Sequence, residues 1–117
     1  MTVLIVDDEE DLRESVRDAL EDEGYRTQVA SDGVEALHKL AGTYDVCAVI
    51  LDVVMPRMDG IAVYQEMQRD SRLAKIPVVF ATSDPSRVPV GALAFRKPFD
   101  LAQLISTVEG FCRSRDA

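Results

Sequence analysis

The chain has 117 residues, enough for one domain around a single core. Its hydrophobic fraction of 47% suits a globular protein, and 21 acids against 13 bases give a net charge of −8, which argues against a general nucleic-acid or membrane-surface binder because both partners are anionic. No apolar run nears the ~20 residues of a membrane span, and the N-terminus is not a basic segment followed by an apolar signal core.

The first apolar run, from Thr2 to Val6, ends abruptly in Asp7-Asp8-Glu9-Glu10 and reads as a buried strand. Asp8 to Asp11 place acids where a helix begins, which suits its positive end. Leu12, Val16, Ala19 and Leu20 recur on one face of that helix, and Gly24 stops it. Tyr25 to Ala30 alternates as an edge strand, Ser31-Asp32-Gly33 is a turn with an N-cap, and Val34, Leu37 and Leu40 carry a second helix that Gly42 ends. Val46 to Leu51 is the central strand, and it delivers Asp52 to its carboxyl end. The loop through Met55-Pro56 and Met58 closes on Asp59-Gly60, which opens a third helix with Ile61, Tyr64 and Met67 on its buried side. After a polar connection from Asp70 to Lys75, a fourth strand runs from Ile76 to Ala81 and ends in the hydroxyls of Thr82 and Ser83. A fifth strand near Ala92 to Phe95 is followed by Lys97. Leu101, Leu104, Ile105, Val108, Phe111 and Cys112 form the apolar face of a final helix, and Arg113 to Ala117 is expected to fray.

Alternating strands and helices predict an α/β fold: a doubly wound parallel sheet with helices on both faces and right-handed crossovers. The fourth crossover is the anomaly. Nine residues, Ser83 to Gly91, join strands four and five, and Pro85 and Pro89 are among them. Nine extended residues reach ~30 Å and a strand needs only ~17 Å, so the chain can return as an extended strap with at most a turn of helix. Cys47 and Cys112 lack a CxxC spacing or an adjacent base, and no secretion signal precedes them; they are expected to be reduced packing residues of a cytosolic protein.

In a parallel sheet all strand ends lie on one edge, where ligands of open α/β sheets bind. Asp7, Asp8, Asp52, Thr82 and Lys97 are thereby expected to meet. Three carboxylates together repel, and an oxygen-ligated cation such as Mg²⁺ relieves the repulsion. A carboxylate beside such a cation can attack phosphorus and become an aspartyl phosphate, with Lys97 and the Thr82 hydroxyl on other phosphoryl oxygens.

These residues bring out a resemblance. The chain resembles the receiver domains of bacterial two-component response regulators, from Thr2 to about Phe111. The resemblance rests on Val6-Asp7-Asp8-Glu9, Asp52 with Met55-Pro56 and Met58-Asp59-Gly60, Thr82, and Lys97-Pro98-Phe99. It implies a five-stranded, flavodoxin-like sheet of order 2-1-3-4-5, with the fourth helix missing or reduced here, in one stand-alone domain over residues 1–117. It implies Asp52 as phosphoacceptor and Mg²⁺ held directly by Asp8, by Asp7 chiefly through water, by Asp52 and by the Val54 carbonyl. Thr82 would be the switch hydroxyl, Lys97 the phosphate-binding base, and Lys97-Pro98 a cis bond. The implied donor is a sensor histidine kinase or histidine phosphotransfer protein, and the setting is the cytoplasm. The downstream partner is an unnamed protein, with no nucleic acid and no membrane, and the chain is expected to be mainly monomeric.

The sequence departs from the family pattern in three places: the short strap, Ser83 where a small apolar residue is common, and Ala94 where the family places an aromatic switch residue, with Phe95 one position later. Either a bulge restores Phe95 to that role or Thr82 is not coupled to an aromatic. The sequence therefore predicts a phosphorylation-controlled switch, not an enzyme acting on an external substrate. A pseudo-receiver working without phosphate is disfavoured by the full acid set. A phosphohydrolase of the haloacid dehalogenase type is disfavoured by Val54, which stands where those enzymes carry a second Asp. His38 reads as a solvated helix residue, and Met55 and Met58 as packing.

Overall fold

The structure is a computed structural model that describes residues 1–116. Its elements are β1 (Thr2–Val6), α1 (Glu10–Asp22), β2 (Arg26–Ala30), α2 (Gly33–Gly42), β3 (Val46–Leu51), α3 (Gly60–Arg69), a short 3-10 turn (Leu73–Lys75), β4 (Val78–Thr82), a second 3-10 turn (Pro85–Arg87), β5 (Leu93–Arg96) and α4 (Leu101–Asp116). The five strands form one parallel sheet in the order β2-β1-β3-β4-β5, as expected. The final helix runs to Asp116; Ala117 lies outside the described residues.

Side-chain alternation splits the core into two layers. Leu4, Val6, Val49, Leu51 and Phe80 face α2 and α3, together with Ala36, Leu40, Val63 and Met67. Val3, Ile5, Ala48, Ile50, Val79 and Ala81 face α1 and α4, with Val16, Leu20, Leu104 and Val108. Each large side chain removed from water in this way contributes about 1.5–3 kcal/mol. The second helix is set differently from the expected pattern. Gly33 is pressed against the Met58 carbonyl, so Ala36 and Leu40 turn to the sheet and Val34 is left 56% exposed.

The two cysteines are a correction to the sequence reading. Cys47 on β3 and Cys112 on α4 are joined in a disulfide, and both are fully buried. The central strand and the final helix pack against each other, which brings together two residues 65 positions apart.

The fourth crossover carries one 3-10 turn, Pro85–Arg87, and otherwise runs as a strap whose Val88 lies against the α2/α3 layer near Ala92 and Ala94. Its brevity keeps residues 83–87 at the carboxyl edge of the sheet, next to Thr82.

Candidate phosphoacceptor site

Each acid reaches the site because a buried strand stops there. β1 and β3 pair in register up to Val6 and Leu51, so the residues that follow them, Asp7 and Asp52, emerge side by side. The Asp52 N–H donates to the Val6 carbonyl at 3.0 Å, which fixes the strand ends to each other. Gly60 then lets the β3–α3 loop fold back onto Asp52. Its N–H donates to Val53 O at 2.9 Å, and a Cβ there would lie 1.9 Å from the Asp52 carbonyl oxygen. The loop is further held by two helix-capping aspartates that each use both oxygens. Asp32 accepts from Glu35 N and from the Arg57 guanidinium, and Asp59 accepts from Ala62 N and from Arg87. Arg57 sits at φ 64°, a left-handed conformation that its ion pair with Asp32 helps to hold.

Asp7, Asp8 and Asp52 each offer an oxygen within 4.8 Å of the others; Asp7 and Asp52 are buried and Asp8 is exposed. Lys97 reaches in from the end of β5. Its Nζ lies 2.8 Å from Asp7 Oδ2, 3.1 Å from Asp52 Oδ2 and 2.9 Å from Glu9 Oε1. Val53 N donates to Asp52 Oδ1 at 2.7 Å, so both oxygens of Asp52 are engaged. Burial pushes the Asp7 carboxyl above its usual range and the neighbouring Asp52 adds to the rise, while the hydrogen bonds from Lys97 and the Glu9 N–H oppose it. Burial acts to lower the Lys97 ammonium, but hydrogen bonds to Asp7 and Glu9 outweigh it and the net shift is upward. Lys97 is therefore firmly cationic, and one ammonium contacts three carboxylates, with Asp8 beside two of them. A donor set of this kind, all carboxylate oxygens and under-neutralised, fits a hard divalent cation.

Thr82 is fully buried at the end of β4, and its Oγ1 accepts from the Asp84 N–H at 3.1 Å. Lys97 N donates to the Thr82 carbonyl, fixing β5 beside it. The peptide bond between Lys97 and Pro98 is cis, as the resemblance implied. The question left open over Phe95 is settled by the register. Ala81 pairs with Phe95 and Thr82 with Arg96, without a bulge. Phe95 therefore packs on the α1/α4 layer with Ala81, while Ala94 lies on the face of Phe80. No β5 aromatic shares the face of Thr82.

The structure brings Asp7, Asp8, Asp52 and Lys97 together as expected, with Thr82 on the same edge and Val54 following Asp52 with its side chain 52% exposed. Three partners were not picked out from the sequence: Glu9 as a third carboxylate on Lys97, Arg87 on Asp59, and Arg57 on Asp32. Glu9 lay within the acidic run, which was a usable signal; the two arginines carried none. A cleft of about 340 Å³ opens beside Lys97 between Glu9, Leu12, Ser83, Pro98 and Phe99.

The profile of the response regulator receiver domain matches residues 3–109. The chain belongs to the response regulator receiver domain family. This receiver is 36% identical over 118 residues to the response regulator MprA of Mycobacterium avium, a match covering 97% of the chain and 51% of MprA. It spans about half the length of the curated relatives it matches. Among solved structures, a chemotaxis response regulator of Vibrio cholerae superposes with a TM-score of 0.84 at 32% identity, over 94% of this chain and 97% of that one. The response regulator TrrA of Thermotoga maritima, solved in complex with Mg²⁺ and BeF, superposes with a TM-score of 0.81 at 29% identity, over 94% and 97% of the two chains.

Proposed function

We propose that this receiver is a phosphorylation-controlled signalling switch in which Asp52 accepts a phosphoryl group from a phosphohistidine protein, a sensor histidine kinase or histidine phosphotransfer protein. The observation that carries the reading is the Lys97 ammonium, 3.1 Å from Asp52 and 2.8 Å from Asp7 inside a cluster of carboxylates. Asp52 is the nucleophile, with Oδ1 held by Val53 N–H and Oδ2 by Lys97. As the phosphoryl group arrives, Lys97 binds one of its oxygens as a point charge, and the Thr82 hydroxyl donates to another. Mg²⁺ held by Asp7, Asp8, Asp52 and the Val54 carbonyl would neutralise the phosphoryl oxygens. The Mg²⁺ complex of the TrrA relative and the oxygen-only donor set support that assignment. The chain turns over no external substrate in this reading; it phosphorylates and slowly dephosphorylates itself, in the cytoplasm where such donors act, and passes the signal to a protein partner.

Incubation with Mg²⁺ and a small phosphodonor tests the reading. One acid-stable, base-labile phosphate on Asp52 is expected, and Asp52→Asn should abolish it. Labelling that survives this substitution would overturn the assignment. Asp8→Ala should weaken Mg²⁺ binding, read from amide shifts around Asp52.

A further inference from the structure

Glu9 has a place in the site that neither helix formation nor metal binding explains. It occupies the N-cap position of α1, yet its side chain makes no capping hydrogen bond. Its backbone N–H donates to Asp7 Oδ1 at 2.9 Å, which anchors residue 9 at the rim of the site. Its carboxylate instead accepts from Lys97 Nζ at 2.9 Å, so Glu9 and Asp52 share one ammonium group. Glu9 also lines the cleft of about 340 Å³ whose other walls are Leu12, Ser83, Lys97, Pro98 and Phe99. An arriving donor therefore meets a partly apolar recess whose wall carries the Glu9 carboxylate beside the Lys97 ammonium.

We infer that Glu9 is a donor-specificity residue that favours phosphoryl donors with a P–N bond over acyl phosphates. The inference rests on the reading of Asp52 as acceptor. In both reactions the bond from Asp52 Oδ to phosphorus forms as the bond to the leaving group breaks, and the electron pair departs with that group. From an acyl phosphate the leaving group is a carboxylate, and its growing negative charge is repelled by Glu9. From a phosphoimidazole protonated on its other ring nitrogen, the pair goes to the nitrogen that loses phosphorus and the ring leaves as neutral imidazole. That N–H is a donor for Glu9, and the flat ring suits walls made by Leu12, Pro98 and Phe99. Phosphoramidate, whose nitrogen is protonated at neutral pH, releases neutral ammonia and presents N–H groups to the same carboxylate. The transferred phosphoryl group is identical in every case, so only the leaving group distinguishes the donors.

The test measures rates of Asp52 phosphorylation in the full chain with Mg²⁺ at fixed ionic strength, using acetyl phosphate and phosphoramidate, for the parent and Glu9→Gln. Beryllofluoride affinity, which involves no leaving group, reports any change in how the site receives the phosphoryl group itself. The ratio of the acetyl phosphate rate to the phosphoramidate rate should rise by at least about threefold in Glu9→Gln, as removal of one nearby like charge implies. A smaller change in that ratio, a fall, or both rates moving in step with beryllofluoride affinity would overturn the inference. Failure of the parent to label Asp52 with either donor would instead overturn the acceptor assignment on which it rests.

Discussion

Arg87 donates to Asp59 at 2.6 Å, an ion pair that ties the strap beyond Thr82 to the first turn of α3. The strap follows Thr82 and the β3–α3 loop follows Asp52, so this pair ties together the segments that leave two neighbouring strand ends. The strap is held at its root by the Asp84 N–H on Thr82 Oγ1 and at its 3-10 turn by Arg87. Arg87→Gln and Asp59→Asn should each speed amide exchange across residues 83–91. Asn retains the helix cap, so the coupling between the two substitutions should be about 0.2–1 kcal/mol, the range for a partly exposed pair. Asp59→Ala should cost about 1 kcal/mol more by removing the cap from Ala62 N. Additive effects in a double-mutant cycle would show that the two side chains act independently.

Gly60 carries a steric requirement as well as a turn. With 1.9 Å between a Cβ at that position and the Asp52 carbonyl oxygen, Gly60→Ala must displace the backbone of Asp52. A loss of roughly 1–3 kcal/mol in urea unfolding is expected, together with impaired labelling of Asp52. Gly42→Ala is the control, since nothing lies within 4 Å of a Cβ there. Equal losses at both positions would reject the steric account.

The disulfide between Cys47 and Cys112 closes a long loop through the core. Its removal by Cys112→Ser, or its reduction, should lower stability by about 2–5 kcal/mol. Thermal unfolding with and without a thiol reductant checks this. Because Cys47 sits at the start of β3 and Asp52 follows the end of that strand, Asp52 labelling of the reduced but still folded protein should stay close to that of the bridged form. An unchanged thermal midpoint in reductant would mean that the bond contributes little.

The titratable groups pull in two directions with pH. Asp32, Asp59 and Asp70 are held below the usual carboxylate range, first of all by the backbone N–H groups of Glu35, Ala62 and Leu73. Their folded-state pKa values are depressed, so their stabilisation is complete above the unfolded value of about 4 and is lost as pH falls through the folded values. Asp7 is raised by burial, so its contribution has the opposite sign and is lost as pH rises. In metal-free buffer the urea midpoint should fall steeply below about pH 4, and Asp7→Asn should be more stable than the parent at neutral pH. An Asp7→Asn protein less stable at neutral pH would show that the hydrogen bonds from Lys97 and Glu9 outweigh burial.

Phe95 stands on the layer away from Thr82, which separates its packing role from any switching role. Phe95 is only partly buried, so Phe95→Ala should cost less than the ~3–5 kcal/mol of a core phenylalanine, while the amide-exchange response of residues 83–91 to beryllofluoride remains. Loss of that response in a folded Phe95→Ala protein would restore the aromatic to the switch.

The edge of the sheet was legible in the sequence because strand ends are written in one dimension. Four apolar runs ending in Asp7-Asp8, Asp52, Thr82 and Lys97 specify one carboxyl edge once the sheet is parallel, and the nine residues from Ser83 to Gly91 are too few for a full helix. Partners fixed by the third dimension were not legible. Cys47 and Cys112 meet only because β3 and α4 pack together, and no local spacing marks the pair. Arg57 and Arg87 find Asp32 and Asp59 across 25 and 28 residues. Phe95 could belong to either layer until the register of β5 against β4 was known, since a shift of one residue exchanges the faces. Val34 fitted the helical period, but Gly33 meeting Met58 rotates the start of α2 so that the valine faces outward.

The Cys47–Cys112 bond has a consequence for cleavage. The covalent ring it closes contains α3, β4, the strap and β5, whereas Asp7 and Asp8 lie outside it. A protease that cuts the strap, for example after the half-exposed Arg87, opens the ring without parting the molecule. The nicked protein would run as a single species until a reductant separates it into two fragments, one carrying Asp52 and the other Lys97.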